Sequence, residues 1–431
     1  MAIQQRLAAD GRGELATYIP QLATANPNHF GVALASLAGH IYQAGDALVP
    51  FTIQSVSKPF VHALALADIG QEDVLARVGA EPSGESFSTA SLEPGTGRPM
   101  NPMINAGAIV TTSLVVAADP AERFERIRAF LSRFAGRELE MDEAVYRSES
   151  ETGDNNRALG YLMRNAGALT APVEESVDVY FRQCALLVSA VDLAVMAATL
   201  ANGGVNPVTG DAVINDDIAA NVMTIMGTCG MYNFSGEWLL RVGLPAKSGV
   251  GGGVVAASPA EFGIGLFSPL LDERSNSLRS IEACKALAAR FDLHLLHHPG
   301  LSAPVIALRQ TGREAGISQD RGDAIALIVL QGDLNFACAE QVMRALELER
   351  ERRWLVLDLD RVGRLHRAAN ALLLAVIADL EAAGMAIVVA DSADRRLISG
   401  VRRFPSRDKA LRWCKSELLK SHESDGKLPL S

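Results

Sequence analysis

A serine and a lysine lie three residues apart in the segment FTIQSVSKPF, as Ser55 and Lys58, and Pro59 follows directly. Residues three apart on a helix share a face, so the hydroxyl and the amine can come within hydrogen-bonding reach. Because Pro59 cannot donate to the carbonyl of Ser55, the helix is predicted to begin close to Ser55, where free N–H groups favour negative charge. Burial would lower the pKa of the amine and make it a base. The pair can support a lysine-activated serine nucleophile, but S-x-x-K also occurs by chance at ordinary capped helix starts.

A second segment, LPAKSGVGGGVVA, places Lys247, Ser248 and Gly249 on a predicted strand. S-x-x-K followed far downstream by K-[ST]-G is the arrangement of the serine β-lactamase and penicillin-binding fold. In that fold a strand edge and the N–H of the nucleophile together bind an oxyanion. The alternative is a glycine-rich hairpin with one solvated lysine. A phosphate-binding loop is disfavoured because no glycine directly precedes Lys247.

Length and composition limit the classes of protein to consider. The chain has 431 residues, which predicts two domains, and its 48% apolar and 21% charged residues are typical of a globular protein. A formal net charge of −10 argues against nucleic-acid binding as the main role. The N-terminal segment lacks an export signal pattern, and no stretch approaches the length of a membrane-spanning helix. We therefore expect a cytoplasmic protein without membrane or nucleic-acid partners.

Cysteine and histidine spacing gives no indication of a metal site. The five cysteines are widely spaced without a CxxC pair, which favours thiols in a reducing compartment. His294, His297 and His298 cluster in DLHLLHHPG, but no carboxylate lies at ligand spacing and Pro299 and Gly300 end the segment. A helix terminus is the preferred interpretation of this cluster. No metal and no organic cofactor are expected.

The apolar patterning predicts an α+β first domain. Residues 29–46 predict two strands joined at Ala38 and Gly39, and a helix from near Ser55 should end at Gly70. Residues 74–240 are rich in helical patterning, and strand character returns in residues 238–258 and 261–269. Strands from both ends of the domain would thus form one antiparallel sheet, with a helical subdomain between them.

The pattern changes after about residue 305. Strands are predicted in residues 324–336, 353–362 and 385–391, and helices in residues 337–352, 367–384 and 406–420. This alternation describes a small, separate α/β domain. The predicted organisation is a catalytic domain over residues 1–300, an α/β domain over residues 316–421 and a disordered tail over residues 422–431.

Six segments taken together resemble the serine-dependent glutaminases, whose fold is similar to that of serine β-lactamases. They are FTIQSVSKPF, GRPMNPMINAGAI, YRSESETGDNNRALGYLM, VYFRQCALLVSAVDLAVMAATLANGGVNPVTG, GMYNFSGEWLLRVGLPAKSGVGGGVVA and FGIGLFSPLLD. The resemblance covers roughly residues 10–295, with the segments in family order. It implies hydrolysis of L-glutamine to L-glutamate and ammonia through a γ-glutamyl-serine ester, by a homo-oligomer (a dimer or a tetramer).

The resemblance also implies a role for each matched residue. The matches are Ser55 as nucleophile, Lys58 as its proton acceptor, Asn105, Glu149 and Asn156 as substrate-holding residues, and Tyr180, Tyr232, Val250 and Tyr18 as further residues of the binding pocket. Each has an ordinary structural alternative: the tyrosines could be core aromatics, the asparagines turn or cap residues, and Glu149 part of a solvated acidic run with Glu151 and Asp154.

Physical chemistry suggests what these residues would do with glutamine. An ionised Glu149 would pair with the α-ammonium group, while Asn105 and Asn156 could bond the α-groups without adding charge. The N–H groups of Ser55 and Val250 would form the oxyanion hole. Tyr232 could pass a proton to the leaving ammonia or assist Lys58.

The second domain and two rival functions complete the predictions. Residues 316–420 resemble a STAS domain through IALIVLQGDLNF and WLVLDLDRVGRLHRAANALLLAVIADLEAAGMAIVVAD. Phospho-switch members carry a hydroxyl residue where His366 and Arg367 stand here, so a structural, assembly or ligand-sensing role is expected, against the alternative of a passive appended domain.

The rival functions are a β-lactam-binding or D-peptide-cleaving enzyme and a regulatory protein that only binds an amino acid.

Overall fold

The computed structural model describes residues 1–17, 19–296, 305–316, 322–334, 336–393, 398 and 400–425. The chain divides into two compact units, Met1–His297 and His298–Ser431. Within the described residues, no helix is both long and apolar enough to cross a membrane.

The first unit is built on a five-stranded antiparallel sheet in the order β2-β1-β7-β6-β5. Its strands, with the short β3–β4 pair that lies outside the main sheet, are β1 (Gly31–Ser36), β2 (Ile41–Gly45), β3 (Phe51–Thr52), β4 (Leu187–Val188), β5 (Ala246–Ser248), β6 (Gly253–Ser258) and β7 (Phe262–Phe267). β1 from the N-terminal part of the unit pairs with β7 from its C-terminal part, from Gly31 opposite Phe267 to Ser36 opposite Phe262. The prediction of one antiparallel sheet from both ends of the unit is confirmed.

Helices occupy most of the sequence between β3 and β5. The helices of the first unit are α1 (Ala2–Ala8), α2 (Lys58–Ile69), α3 (Gln71–Leu75), α4 (Asn105–Leu114), α5 (Pro120–Ala135), α6 (Glu143–Thr152), α7 (Asp154–Asn165), α8 (Val173–Cys184), α9 (Ala190–Ala201), α10 (Asp216–Cys229), α11 (Ser235–Arg241) and α12 (Leu278–Phe291). As predicted, the helix after Ser55 ends at Gly70, whose φ of 83° lies in the left-handed region. Ser189 caps α9, and Asp192 completes a capping box with it.

Helix α9 packs directly on the sheet because β7 has glycines at the contact. A Cβ atom on Gly265 would lie 2.0 Å from the carbonyl oxygen of Ala190 and 2.4 Å from the backbone nitrogen of Ala194. On Gly263 it would lie 2.1 Å from the nitrogen of Ala198. Backbone atoms of a packed helix cannot move aside as a flexible side chain can. The short distance between helix α9 and strand β7 therefore depends on the two glycines.

We predict that Gly265→Ala destabilises the first unit by roughly 1–3 kcal/mol or more, because this is what overpacking against a rigid backbone costs. Urea unfolding measures the effect. The matched control is Gly227→Ala on α10, where an added Cβ meets no atom within 4 Å. That change should be neutral or stabilise by up to ~1 kcal/mol. Equal stability of the two variants would contradict direct helix–sheet contact at Gly265.

The second unit contains a mostly parallel sheet in the order β12-β11-β10-β9-β8, in which only the β8–β9 pair is antiparallel among the described strands. Its elements are β8 (Ile306–Thr311), β9 (Ile325–Leu334), α13 (Phe336–Glu347), β10 (Trp354–Leu365), α14 (Arg367–Ala382), β11 (Ala386–Ala390), β12 (Arg402–Phe404) and α15 (Arg407–Asp425). Apolar residues of α13 and α14 form one core with the sheet, and those of α15 form another. Helices therefore cover both faces of the sheet.

Most elements of the second unit match the predicted alternation of strands and helices. The two edge strands, β8 and β12, were not predicted from the sequence. β8 is only partly buried along its length, and β12 has three residues, so neither has the continuous apolar run that marks β9 and β10. Residues beyond Asp425, in the predicted tail, lie outside the described part of the chain.

Candidate active site

Ser55 lies in a buried turn between a strand and a helix. β3 ends at Thr52, residues Gln54–Ser57 form a 3₁₀ turn, and α2 begins at Lys58 with Pro59 in its first turn. The N–H of Lys58 donates to the carbonyl of Ser55. The helix therefore begins where the sequence predicted, and Ser55 lies one turn before its first residue.

Lys58 extends from the start of α2 into a network of neutral polar groups. Its Nζ donates to Oδ1 of Asn105, the first residue of α4, over 2.6 Å. Asn105 Nδ2 donates to Asn156 Oδ1 on α7 over 2.9 Å, and the hydroxyl of Tyr180 on α8 donates to Asn105 Oδ1 over 3.2 Å. Four of the predicted site residues, from four helices, are thus joined by three hydrogen bonds.

The amine of Lys58 is almost completely buried, at 1% exposure, and forms no ion pair within the described residues. Burial lowers its pKa from 10.5 to about 7, and the thiol of Cys184 and the carboxylate of Glu149 oppose this shift. No hydrogen bond joins Lys58 to Ser55 in the described structure. The amine instead donates one hydrogen bond to Asn105. In its neutral form it also keeps a lone pair that can accept a proton.

Glu149 on α6 is buried at 4% exposure, so the solvated alternative for this residue is wrong. Within the described residues, its carboxylate accepts a hydrogen bond from Nε2 of Gln54 over 3.4 Å. Burial raises the pKa of Glu149 to about 8, although the bond from Gln54 and the charge of Lys58 lower it in part. A buried carboxyl group with so little compensation suits a site whose cation arrives with a ligand.

Tyr232 begins a short 3₁₀ turn in a strained backbone conformation, with φ at 56°. Its ring lies 5.6 Å from Lys58 Nζ and 5.3 Å from the ring of Phe87, measured to the ring centroid. The hydroxyl is buried and has no well-formed hydrogen bond among the described residues. Burial raises its pKa, and an interaction with Ser55 offsets this only partly. The hydroxyl is thus a proton donor available near Ser55.

The turn between β5 and β6 carries Val250, which is buried at 4% exposure. A Cβ atom on Gly249 would lie 3.3 Å from the backbone nitrogen of Ser55 and 3.1 Å from the carbonyl oxygen of Ile53. The glycine therefore lets this turn approach the backbone of the 3₁₀ turn closely. The N–H groups of Ser55 and Val250 donate to no acceptor in the described part of the chain. The free N–H groups of Ser55 and Val250 thus lie on two segments that approach each other closely in the fold.

Sequence reasoning missed one residue of the site, and the structure decides between two interpretations of another. Gln54 holds Glu149 and has a φ of 49°, and its position directly before Ser55 was the only available signal. Lys247 is fully buried, so the alternative of a solvated lysine in a hairpin is wrong. Tyr18 lies outside the described residues. Among the residues described, no group of three or more His, Cys, Asp or Glu side chains could hold a metal ion.

Comparison with known proteins identifies the enzyme class and then the family. A family model described as Glutaminase matches residues 13–296, which is more than half of the chain. Glutaminase 2 of Bradyrhizobium diazoefficiens is 46% identical over 441 aligned residues, covering 96% of this chain and 70% of that protein. The chain is an amidohydrolase. It belongs to the glutaminase family, and its reaction is the hydrolysis of glutamine to glutamate.

Two groups of solved structures resemble the chain to different extents. A structure described as Mglu has a TM-score of 0.84 at 42% identity and covers 91% of this chain and 97% of that one. A probable glutaminase from Bacillus subtilis complexed with 6-diazo-5-oxo-L-norleucine has a TM-score of 0.61 at 34% identity, covering 68% of this chain and 93% of that one. Family membership favours glutamine hydrolysis over the two rival functions.

We predict that Glu149→Gln gains stability relative to the wild type as pH rises from about 4.5 to about 8. The unfolded carboxyl group ionises near 4.5, whereas the folded one keeps its proton up to a pKa of about 8. The wild type therefore loses stability across this interval, by ~1.4 kcal/mol for each unit of raised pKa. Thermal unfolding at pH 5, 6.5 and 8 measures the difference. The Glu151→Gln variant, which makes the same carboxyl-to-amide change at an exposed position, is the control. A constant difference between Glu149→Gln and wild type would contradict the prediction.

Proposed function

We propose that Ser55 is the nucleophile of glutamine hydrolysis and that Lys58 is its base. The observation that carries this proposal is the buried amine of Lys58, which faces a neutral acceptor and has a pKa of about 7. Such an amine is largely unprotonated at slightly alkaline pH and can take the proton of Ser55 Oγ. Oγ then attacks the side-chain amide carbon of glutamine, and the proton remains on Lys58.

The tetrahedral intermediate would place its oxyanion between the N–H groups of Ser55 and Val250. This is supported by the close approach of Gly249 to Ser55 and by the lack of another acceptor for either N–H group among the described residues. Donors that are fixed before the reaction stabilise the developing charge without reorganising. Removal of one such donor costs roughly 10²–10³-fold in kcat.

The α-groups of glutamine would bind on the opposite side of Lys58. Glu149, once ionised, pairs with the α-ammonium group, and the amides of Asn105 and Asn156 bond the α-groups. The network that joins Lys58, Asn105, Asn156 and Tyr180 supports this assignment, since it fixes the distance between the reacting end and the binding end. The solved complex of the Bacillus subtilis relative is consistent with a ligand of this type.

Tyr232 would deliver the proton to the departing nitrogen. Its hydroxyl lies near Ser55 and has no other partner in the described structure, which supports this role. Collapse of the intermediate breaks the carbon–nitrogen bond, releases ammonia and leaves a γ-glutamyl ester on Ser55. Lys58 passes the proton that it took from Ser55 to Tyr232, which restores the Tyr232 hydroxyl and the neutral amine. The amine then takes a proton from water as the water attacks the ester, and it returns this proton to Oγ as glutamate is released.

Further assignments rest on the resemblance. We propose a serine β-lactamase-like fold for the first unit and a STAS-like fold for the second, with a structural, assembly or ligand-sensing role. The mostly parallel sheet with helices on both faces supports the STAS-like assignment. We also propose a cytoplasmic homo-oligomer, a dimer or a tetramer. The buried cysteines 184, 229, 284 and 414 form no disulfide, which is consistent with a reducing compartment.

We predict that Ser55→Ala lowers ammonia release from glutamine by at least about 10⁴-fold, because loss of a nucleophile removes the covalent pathway. The matched control is Ser57→Ala in the same 3₁₀ turn, whose hydroxyl bonds the carbonyl of Gln54. That variant should keep measurable turnover. An ammonia-release assay with thermal unfolding of each variant tests this, and retained turnover in Ser55→Ala would refute the mechanism.

We predict that a chain ending at Leu296 still hydrolyses glutamine, with kcat within about tenfold of the full chain. All described site residues lie in the first unit. A solved probable glutaminase of 38% identity aligns with 69% of this chain while 96% of its own length is covered, so a relative exists without most of the second unit. The ammonia assay on both forms provides the measurement. A folded but inactive fragment would assign the second unit a part in catalysis.

A further inference from the structure

Lys247 is a fully buried lysine that the proposed mechanism does not use. It lies on β5, opposite Val255 of β6, and forms no ion pair within the described residues. Burial lowers its pKa well below 10.5, and the nearby amine of Lys58 lowers it further. A buried amine without an acidic partner is costly, whereas an apolar side chain of the same length would not be. Such a residue needs an explanation other than stability.

The amine contacts two groups that belong to the site. Its Nζ donates to the carbonyl of Ser248 over 2.5 Å and lies 3.8 Å from the centroid of the Tyr232 ring. Ser248 is two residues before Val250, on the strand that leads into the oxyanion turn. Lys247 therefore contacts the ring of Tyr232, the proposed proton donor. It also contacts strand β5, which leads to Val250, the proposed oxyanion donor.

The backbone around Tyr232 shows why this contact is needed. Tyr232 has a φ of 56°, an unfavourable conformation for a residue with a side chain, which its neighbours must maintain. A Cβ atom on Gly230 would lie 1.8 Å from the carbonyl oxygen of Ala246, so the segment before Tyr232 presses directly on β5. Phe87 contacts the ring, and Lys247 approaches closer to its centroid than Lys58 does.

We propose that Lys247 is a positioning residue, which fixes the ring of Tyr232 against strand β5 so that the Tyr232 hydroxyl is aligned with the amide nitrogen of glutamine. The inference rests on the proton-donor role proposed for Tyr232. Lys247 touches neither glutamine nor the reacting atoms in this mechanism. Its effect should fall on the chemical step, because Glu149, Asn105 and Asn156, which bind the α-groups, do not depend on it.

Replacement with methionine separates positioning from stability. Lys247→Met keeps an unbranched side chain of similar length beside the ring and removes the amine. We expect kcat to fall about 10- to 100-fold, the effect of a small misplacement of a reacting group, while KM changes less than about threefold. The melting temperature should stay equal or rise. Lys247→Gln, which keeps an N–H donor for the carbonyl of Ser248, should retain more of kcat than Lys247→Met.

The matched control is Val255→Ala, at the buried position opposite Lys247 on the neighbouring strand. It should lower the melting temperature and leave kcat within about twofold. Lys247→Met should thus lower kcat without lowering the melting temperature, whereas Val255→Ala should lower the melting temperature without a large change in kcat. A Lys247→Met variant with a lower melting temperature and unchanged kcat would make Lys247 a structural residue and overturn the proposal.

A double-mutant cycle with Tyr232→Phe tests whether Lys247 acts through Tyr232. If it does, the double variant should lose no more than about threefold beyond the more impaired single variant, because the alignment of an absent hydroxyl has no value. Losses that multiply would overturn the proposal, as would an impaired Lys247→Met beside a fully active Tyr232→Phe. A fully active Tyr232→Phe would by itself contradict the role of Tyr232 in the proposed mechanism. An active Lys247→Met beside an impaired Tyr232→Phe would overturn only the inference about Lys247.

Discussion

Removing an amine from water costs several kcal/mol unless a partner compensates, and the carboxylate that would normally do so would also keep the amine protonated. Lys58 faces the amide oxygen of Asn105 instead. That acceptor satisfies one N–H group and leaves the amine able to lose its charge near neutral pH. Asn105 can serve only because Asn156 and Tyr180 hold it in place. This contact and the two bonds that support it join α4, α7 and α8 to the start of α2.

The same reasoning applies to the acidic side of the site. Glu149 is buried, its bond to Gln54 is long, and it forms no ion pair within the described residues. In the proposed mechanism, the α-ammonium group of glutamine supplies the missing charge. The burial of Lys58 is then compensated by Asn105 within the protein, whereas the burial of Glu149 is compensated by the ligand. This mechanism ties specificity for an amino acid to the incomplete pairing of Glu149.

The sequence predicted those features that depend on neighbouring residues. Pro59 located the start of α2, and alternating apolar residues located β1 and β2. It did not predict features that depend on distant contacts. The burial of Lys247 depends on a tyrosine fifteen positions earlier that the fold brings against β5, and a lysine in a glycine-rich segment is usually solvated.

Two further misses have the same physical origin. Gln54 reaches Glu149 across 95 residues of sequence, through a backbone conformation that no local pattern in the sequence reveals. The edge strands β8 and β12 are short or partly exposed, so their formation depends on the sheet beside them rather than on their own composition. The remaining site residues were predicted from family resemblance, because their segments occur in family order, which composition alone cannot show.

The pairing of β1 with β7 has a consequence for biosynthesis. A ribosome releases Gly31 long before Phe267, its partner in the sheet, and polypeptides emerge at roughly 5–20 residues per second. During synthesis, β1 therefore lacks its partner β7, which is translated on the order of ten seconds or more later. The sheet, and with it the turn between β5 and β6 that approaches Ser55, therefore cannot be complete until most of the first unit has been translated.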